Sequence, residues 1–178
     1  MGKTVFLCAG HHGAGTGAGG FIDEGLECIK LRDDLSHALR GNGVISLIDQ
    51  NTASLSSVIR NVNDLSTHID GESVVIDIHF NSFNKKAHGS EVYIHSQTSN
   101  SNKEFAKKLV EMTSETLGIH NRGLRTTAQS QHSRLAMLTK IKAPSMIWEI
   151  CFCDEKTDSE AYIEHRQELI DNFVKLFV

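Results

Sequence analysis

Eight consecutive residues at 74–81, Val-Val-Ile-Asp-Ile-His-Phe-Asn, constrain this chain more than any other stretch. The run is short, apolar and rich in β-branched side chains, with Asp70-Gly71 before it and Ser82 after it. It reads as a buried strand near the middle of a sheet. Side chains alternate between the two faces of a strand. Val74, Ile76, Ile78 and Phe80 then make one wholly apolar face, and Val75, Asp77, His79 and Asn81 make the other. Leaving buried polar groups without partners costs roughly 2–7 kcal/mol each. A hydrogen-bonded core network would satisfy these three, and so would a ligand, since open α/β sheets bind ligands beyond the carboxyl ends of their strands.

Around this run, strands and helices alternate. Residues 3–9 form a first strand, followed by Gly10-His11-His12-Gly13 and a glycine-rich loop through Gly20. The loop does not meet the dinucleotide spacing, no helix opens at its last glycine, and no G-K-[ST] follows for a P-loop. Helical periodicity covers 23–39, 52–69, 102–117 and 158–177. Its inward stripes are Cys28, Leu31, Leu35, Ala38 and Leu39; Leu55, Val58, Ile59, Val62 and Leu65; Phe105, Leu109, Met112 and Leu117; and Tyr162, Ile163, Leu169, Ile170, Phe173 and Val174. Further strands are expected at 44–48, 91–95 and 145–152, short extended segments at 121–128 and 135–138, and loops at 83–88 and 130–133. This order indicates an α/β sandwich.

Composition narrows the function. The 178 residues suit one domain, and a net charge of −4 gives no basic footprint for nucleic acid. No apolar run is long enough to insert into a membrane. The N-terminus has no cleavage site of a signal peptide, and Met1-Gly2 lacks the Ser or Thr that myristoylation needs. Cys8, Cys28, Cys151 and Cys153 fall in or beside strands and a helix, which suits buried free thiols. The C-x-C pair has no second pair at zinc-finger spacing.

Four residues stand out against their surroundings. His11 follows the first strand, Glu24 lies on the core-facing stripe of the first helix, and His79 ends the central strand. Glu149 interrupts an apolar run between Trp148 and Ile150. Each has a plain explanation; an acid in a first helical turn, for instance, is favoured by the helix dipole. Taken together they hold the parts of a zinc hydrolase: two histidines and a carboxylate as ligands, and a second carboxylate as base.

At these residues the chain resembles the zinc-dependent N-acetylmuramoyl-L-alanine amidases of the amidase-3 type. The resemblance runs nearly end to end. It is carried by Gly10-His11, the glycines from Gly13 to Gly20, Glu24, Leu35, Arg60 and Asn63, and Ile78-His79-Phe80-Asn81. It continues through Gly89, Glu91 and Tyr93, Asn121-Arg122-Gly123, Pro144, and Glu149-Ile150-Cys151-Phe152. Cys8, His12 and Asp77 depart from the family pattern.

The resemblance implies a single catalytic domain over 1–178. Its fold would be a three-layer sandwich of the phosphorylase/hydrolase kind, with a mixed, mostly parallel sheet of about six strands flanked by helices. It implies one zinc ion held by His11, Glu24 and His79, Glu149 as general base, and peptidoglycan as substrate. Asn81, Glu91 and Arg122 would line the stem-peptide groove. His12 is the positional alternative to His11, and Asp77 is placed to orient His79. Two rivals stand beside this reading: another zinc amidohydrolase or carboxypeptidase on a related sheet, and a non-catalytic module closed around a structural zinc. A phage-type lysis enzyme made in the cytosol and a domain of a longer secreted protein both fit the chain. The sequence sets no oligomeric state.

Overall fold

The computed structural model describes residues 4–69, 72–129 and 135–178. The expected loop at 130–133, with His132, lies outside them, as do Lys3 and Asp70-Gly71. Six strands form one sheet: β1 (Thr4–Ala9), β2 (Ser46–Ile48), β3 (Ser73–Asn81), β4 (Ser90–Ile94), β5 (Asn121–Thr126) and β6 (Ser145–Phe152). Their spatial order is β2-β1-β3-β6-β4-β5. Every neighbouring pair is parallel except β4 with β6.

Helices cover both faces. α1 (Glu24–Gly41), α3 (Asn100–Leu117) and α5 (Lys156–Val174) pack on one, where Leu31, Leu109 and Phe173 meet Ile76 and Ile78. α2 (Leu55–Ser66) and the one-turn α4 (Ala136–Thr139) cover the other, where Val58, Ile59, Met137 and Leu138 meet Val75 and Ile147. β3 divides as its alternation requires, with Val74, Ile76, Ile78 and Phe80 in the first core and Val75 in the second. Trp148 is fully buried, donates to Thr113 Oγ1 at 3.0 Å and stacks on Phe173. The four cysteines are buried and free.

Three details differ from the sequence expectation. Residues 136–139 are helical, not extended. In α2, Leu55 and Leu65 are exposed, because α2 buries only the narrow stripe Val58, Ile59 and Val62 against the sheet. Ile163 of α5 is exposed as well, on the side of the helix away from α1 and α3.

Topology decides where a site can form. The chain leaves β1 through α1 over one face to reach β2, then returns through α2 over the opposite face to β3 on the far side of β1. The carboxyl ends of β1 and β3 therefore flank a switch point, the crevice where open α/β sheets place ligands. Asn63 of α2 clips the approach to β6, donating to Lys140 O at 2.9 Å and accepting from Lys142 N at 2.8 Å.

Candidate metal centre and active-site cleft

His11, Glu24 and His79 meet at this switch point. One ligand atom from each lies within 4.8 Å of the other two. Glu24 Oε1 is 3.2 Å from His79 Nδ1, and Oε2 is 3.7 Å from His11 Nε2. The two imidazoles stand edge to face, 5.2 Å between centroids. Each side chain has its own placing element. His11 lies two residues past the end of β1, and His79 sits near the end of β3. Glu24 opens α1 behind Asp23, whose side chain caps the helix by accepting from Leu26 N at 3.1 Å. Backbone donors fix the Glu24 carboxylate: Ala18 N at 2.6 Å and Phe80 N at 3.1 Å.

The glycines serve this arrangement. A Cβ on Gly10 would overlap the His79 ring, and one on Gly17 would press on His11 Cγ and Glu24 Oε2. Gly17 also has a φ of +74°, in the left-handed region. At Gly10 and Gly17 the backbone passes directly against the three candidate ligands.

Two departures from the family pattern have structural roles. Asp77 Oδ2 is 3.2 Å from His79 Nε2, so a carboxylate orients the imidazole from behind while Nδ1 faces Glu24. His12 turns away from the triad to Asp49, with Nε2 and Oδ2 at 2.8 Å. Asp49 Oδ1 accepts from Ala9 N and from Arg32 Nη1. His11 faces the triad, and His12 anchors the turn to the end of β2.

Electrostatics match this geometry. Burial works against a charged His79, but Asp77 and its hydrogen bonds to Asp77 and Glu24 prevail and hold its pKa well above the usual histidine value. Burial pushes Glu24 toward neutrality, yet His79 and the Ala18 N–H outweigh it and keep its carboxyl below the usual range. Burial lowers the His11 pKa. A dication bound there would compete with a proton for His79. Two imidazoles and a carboxylate suit zinc, and three protein ligands would leave a fourth position open. The residues present therefore fit the ion the family resemblance implies.

Glu149 is the Cα partner of His79 in the adjoining strand. Its Oε2 is buried and has no hydrogen-bond partner among the described residues. Burial first, then the nearby Glu24, Glu91 and Asp77, raise its pKa to about 7, with His79 acting in the opposite sense. A carboxyl poised near neutrality beside a candidate metal centre is the pattern of a general base.

Across β6, Glu149 pairs with Glu91 of β4. Glu91 is 2% exposed, and four side chains saturate it. Asn81 and Tyr93 donate to Oε1 at 2.8 and 3.2 Å, and Arg122 and Arg125 to Oε2 at 2.9 and 3.3 Å. All of these residues line one cleft of about 720 Å³ with His11, Glu24, His79 and Glu149. Asn81 and Arg122 are where the resemblance places the groove, while Glu91 turns all its capacity inward. Arg125 and its role went unread in the sequence. Residues three apart in a strand point to opposite faces, but a bulge sets Ser90 and Glu91 against Asn121 and Gly123, with Arg122 as the extra residue. Gly123 at φ +76° makes that bulge, and it turns both arginines onto Glu91. The glycine within an expected strand was the signal available.

A six-stranded α/β sandwich with a His-Glu-His cluster at its switch point defines a class of hydrolase-like catalytic domains. The chain belongs to the amidase-3 family, N-acetylmuramoyl-L-alanine amidase, whose family model matches residues 5–171. It is 26% identical over 170 residues to an uncharacterised 38.4 kDa protein of Clostridium perfringens, covering 93% of this chain and 48% of that one. The chain spans about half the length of the curated relatives it matches. It shares its fold with the N-acetylmuramoyl-L-alanine amidase of Clostridium difficile 630 at a TM-score of 0.79 and 18% identity, covering 98% of this chain and 94% of that one. The catalytic domain of an endolysin targeting Clostridium difficile is similar at a TM-score of 0.72 and 25% identity, covering 98% and 93%.

Proposed function

We propose that the chain hydrolyses the amide between the lactyl carboxyl of N-acetylmuramic acid and the L-alanine of the stem peptide, in peptidoglycan. In this reading His11, Glu24 and His79 would hold one zinc ion. When bound, it would supply a water acidified to a pKa of ~7 and a positive charge for the oxyanion that develops. Glu149 takes the proton from the attacking water. It then hands that proton to the departing L-alanine nitrogen, which leaves poorly as an anion. Asp77 holds the His79 ring in line, and Gly10 and Gly17 keep the backbone close enough for the three side chains to meet.

The unpartnered Oε2 of Glu149 carries this reading. A buried carboxylate oxygen without a donor is costly, and a nucleophilic water is the partner a base in this position would take. The rival of a closed structural zinc needs four protein ligands. The cleft opens beside a cluster of three, and Glu149 stands outside that cluster. The substrate lies outside the bacterial membrane, so the chain acts there, whether released as a lysis enzyme or carried within a longer secreted protein.

Purified cell walls test the reading. Zinc-supplied protein should release soluble peptides with new N-terminal alanine, a chelator should stop the release, and added zinc should restore it. Release that a chelator leaves untouched, or products cut at another bond, would contradict it.

A further inference from the structure

Arg122 and Arg125 bring charge into the cleft that the hydrolysis above does not use. Both are held by Nε to one oxygen of Glu91. With Asn81 and Tyr93 on the other oxygen, Glu91 has no capacity left for a ligand and acts as a mount for two guanidiniums. A guanidinium held through Nε keeps its terminal Nη donors. Arg122 spends one on His88 O at 3.3 Å and lies over the Phe152 ring at 5.0 Å. Arg125, its side chain 36% exposed, makes no other side-chain hydrogen bond or ion pair among the described residues. Two guanidiniums against one carboxylate leave this wall net positive, while the wall beside the candidate ligands carries Glu24, Asp77 and Glu149.

We propose that this wall is a carboxylate receptor, with Arg125 making the cleft prefer a stem peptide whose second residue keeps a free α-carboxylate. The proposal rests on the peptidoglycan reading. Glu91 pairs with Glu149, and Glu149 with His79, so Glu91 stands two strands from His79. That is about 10 Å at the backbone. An extended residue spans ~3.5 Å, and an arginine side chain reaches back over part of the remainder. With the scissile amide beside Glu149, the anion falls on the residue after L-alanine. In peptidoglycan this is a D-glutamate joined through its γ-carboxyl, whose α-carboxyl is free in some walls and amidated in others. The acid accepts charge-assisted bonds on both oxygens; the amide offers one oxygen and turns its NH₂ against the arginine donors.

Calorimetric titration of the intact protein, zinc supplied, with L-alanyl-D-glutamate blocked as its γ-methylamide and with the α-amide of that same compound tests this. The acid should bind roughly 10- to 100-fold more tightly. Arg125→Gln should bring that ratio to within about threefold of one, and Arg125→Lys should retain part of it. Equal affinities in the parent protein, undetectable binding of the acid, or an unchanged ratio in Arg125→Gln would overturn the proposal. Hydrolysis is read separately on a muramoyl-L-alanyl substrate. Acid preference without hydrolysis removes the amidase reading and leaves the receptor; hydrolysis with equal affinities does the reverse.

Discussion

Glu149 is the residue on which the chemistry turns, and its burial makes two opposed demands. As a base it must lose its proton near neutral pH; as a buried group it resists doing so. Glu149→Gln should keep zinc binding and cut hydrolysis by roughly 10²–10⁴-fold; retention of most activity would remove its role. The same substitution should stabilise the metal-free protein. The folded pKa, about 7, lies above the ordinary glutamate value. Stability therefore falls as pH rises from the unfolded pKa of roughly 4.3 through 7, and the penalty is complete above that. Denaturant unfolding of metal-stripped protein at pH 8 should favour Glu149→Gln by about 1–3 kcal/mol, and the difference should vanish near pH 4. His79 has a linkage of the same sign: its raised pKa means the metal-free fold is favoured by a proton there, and that contribution is lost as pH rises through the folded value. Zinc must displace this proton. Calorimetry in buffers of different ionisation enthalpy should detect proton release on zinc binding, with affinity falling as pH drops. Proton-neutral binding would contradict the assignment of His79 as ligand.

Among elements, the turn from β1 into α1 and the start of α5 hold the site in place. Gly17→Ala should weaken zinc binding more than it lowers thermal stability, because the added Cβ meets His11 and Glu24 and leaves the packed core untouched. Equal zinc affinity with a large loss of stability would show that the loop serves folding alone. At the same rim of the sheet, Asp158 in the first turn of α5 is buried and accepts from Gly89 N at 2.7 Å and Phe152 N at 3.0 Å. Those two backbone donors lie where β4 begins and β6 ends. Asp158→Ala leaves both buried without a partner, and should cost about 2–4 kcal/mol in unfolding experiments. The neighbouring Asp154 accepts from Phe83 N and Lys85 N, which ties the expected surface loop at 83–88 to the rim of the cleft.

At the scale of the molecule, the sequence exposed what depends on local pattern. The two-faced run at 74–81, the acid on the inward stripe of α1 and the acid between Trp148 and Ile150 were each visible as a polar residue where hydrocarbon was due. Pairing between distant strands leaves no such mark. Nothing local says that β4 runs against β6 yet alongside β5, or that a bulge at Gly123 brings Arg122 and Arg125 to one carboxylate. The expected extension at 135–138 failed for a related reason: four apolar-rich residues have no period of their own, and packing of Met137 and Leu138 against the sheet made a helical turn of them. His12 shows the limit at a single position, since only the distant Asp49 separates it from His11 in role.

The central claim is that three side chains, from the turn after β1, from α1 and from β3, grip one cation. Anomalous diffraction at the zinc absorption edge, from crystals grown with one equivalent of zinc, addresses it most directly. The account predicts a single strong peak bonded to His11, Glu24 and His79 at roughly 2.0–2.2 Å, with Glu149 facing it and not ligating. A peak elsewhere, Glu149 as a fourth ligand, or no peak at this cluster would contradict it.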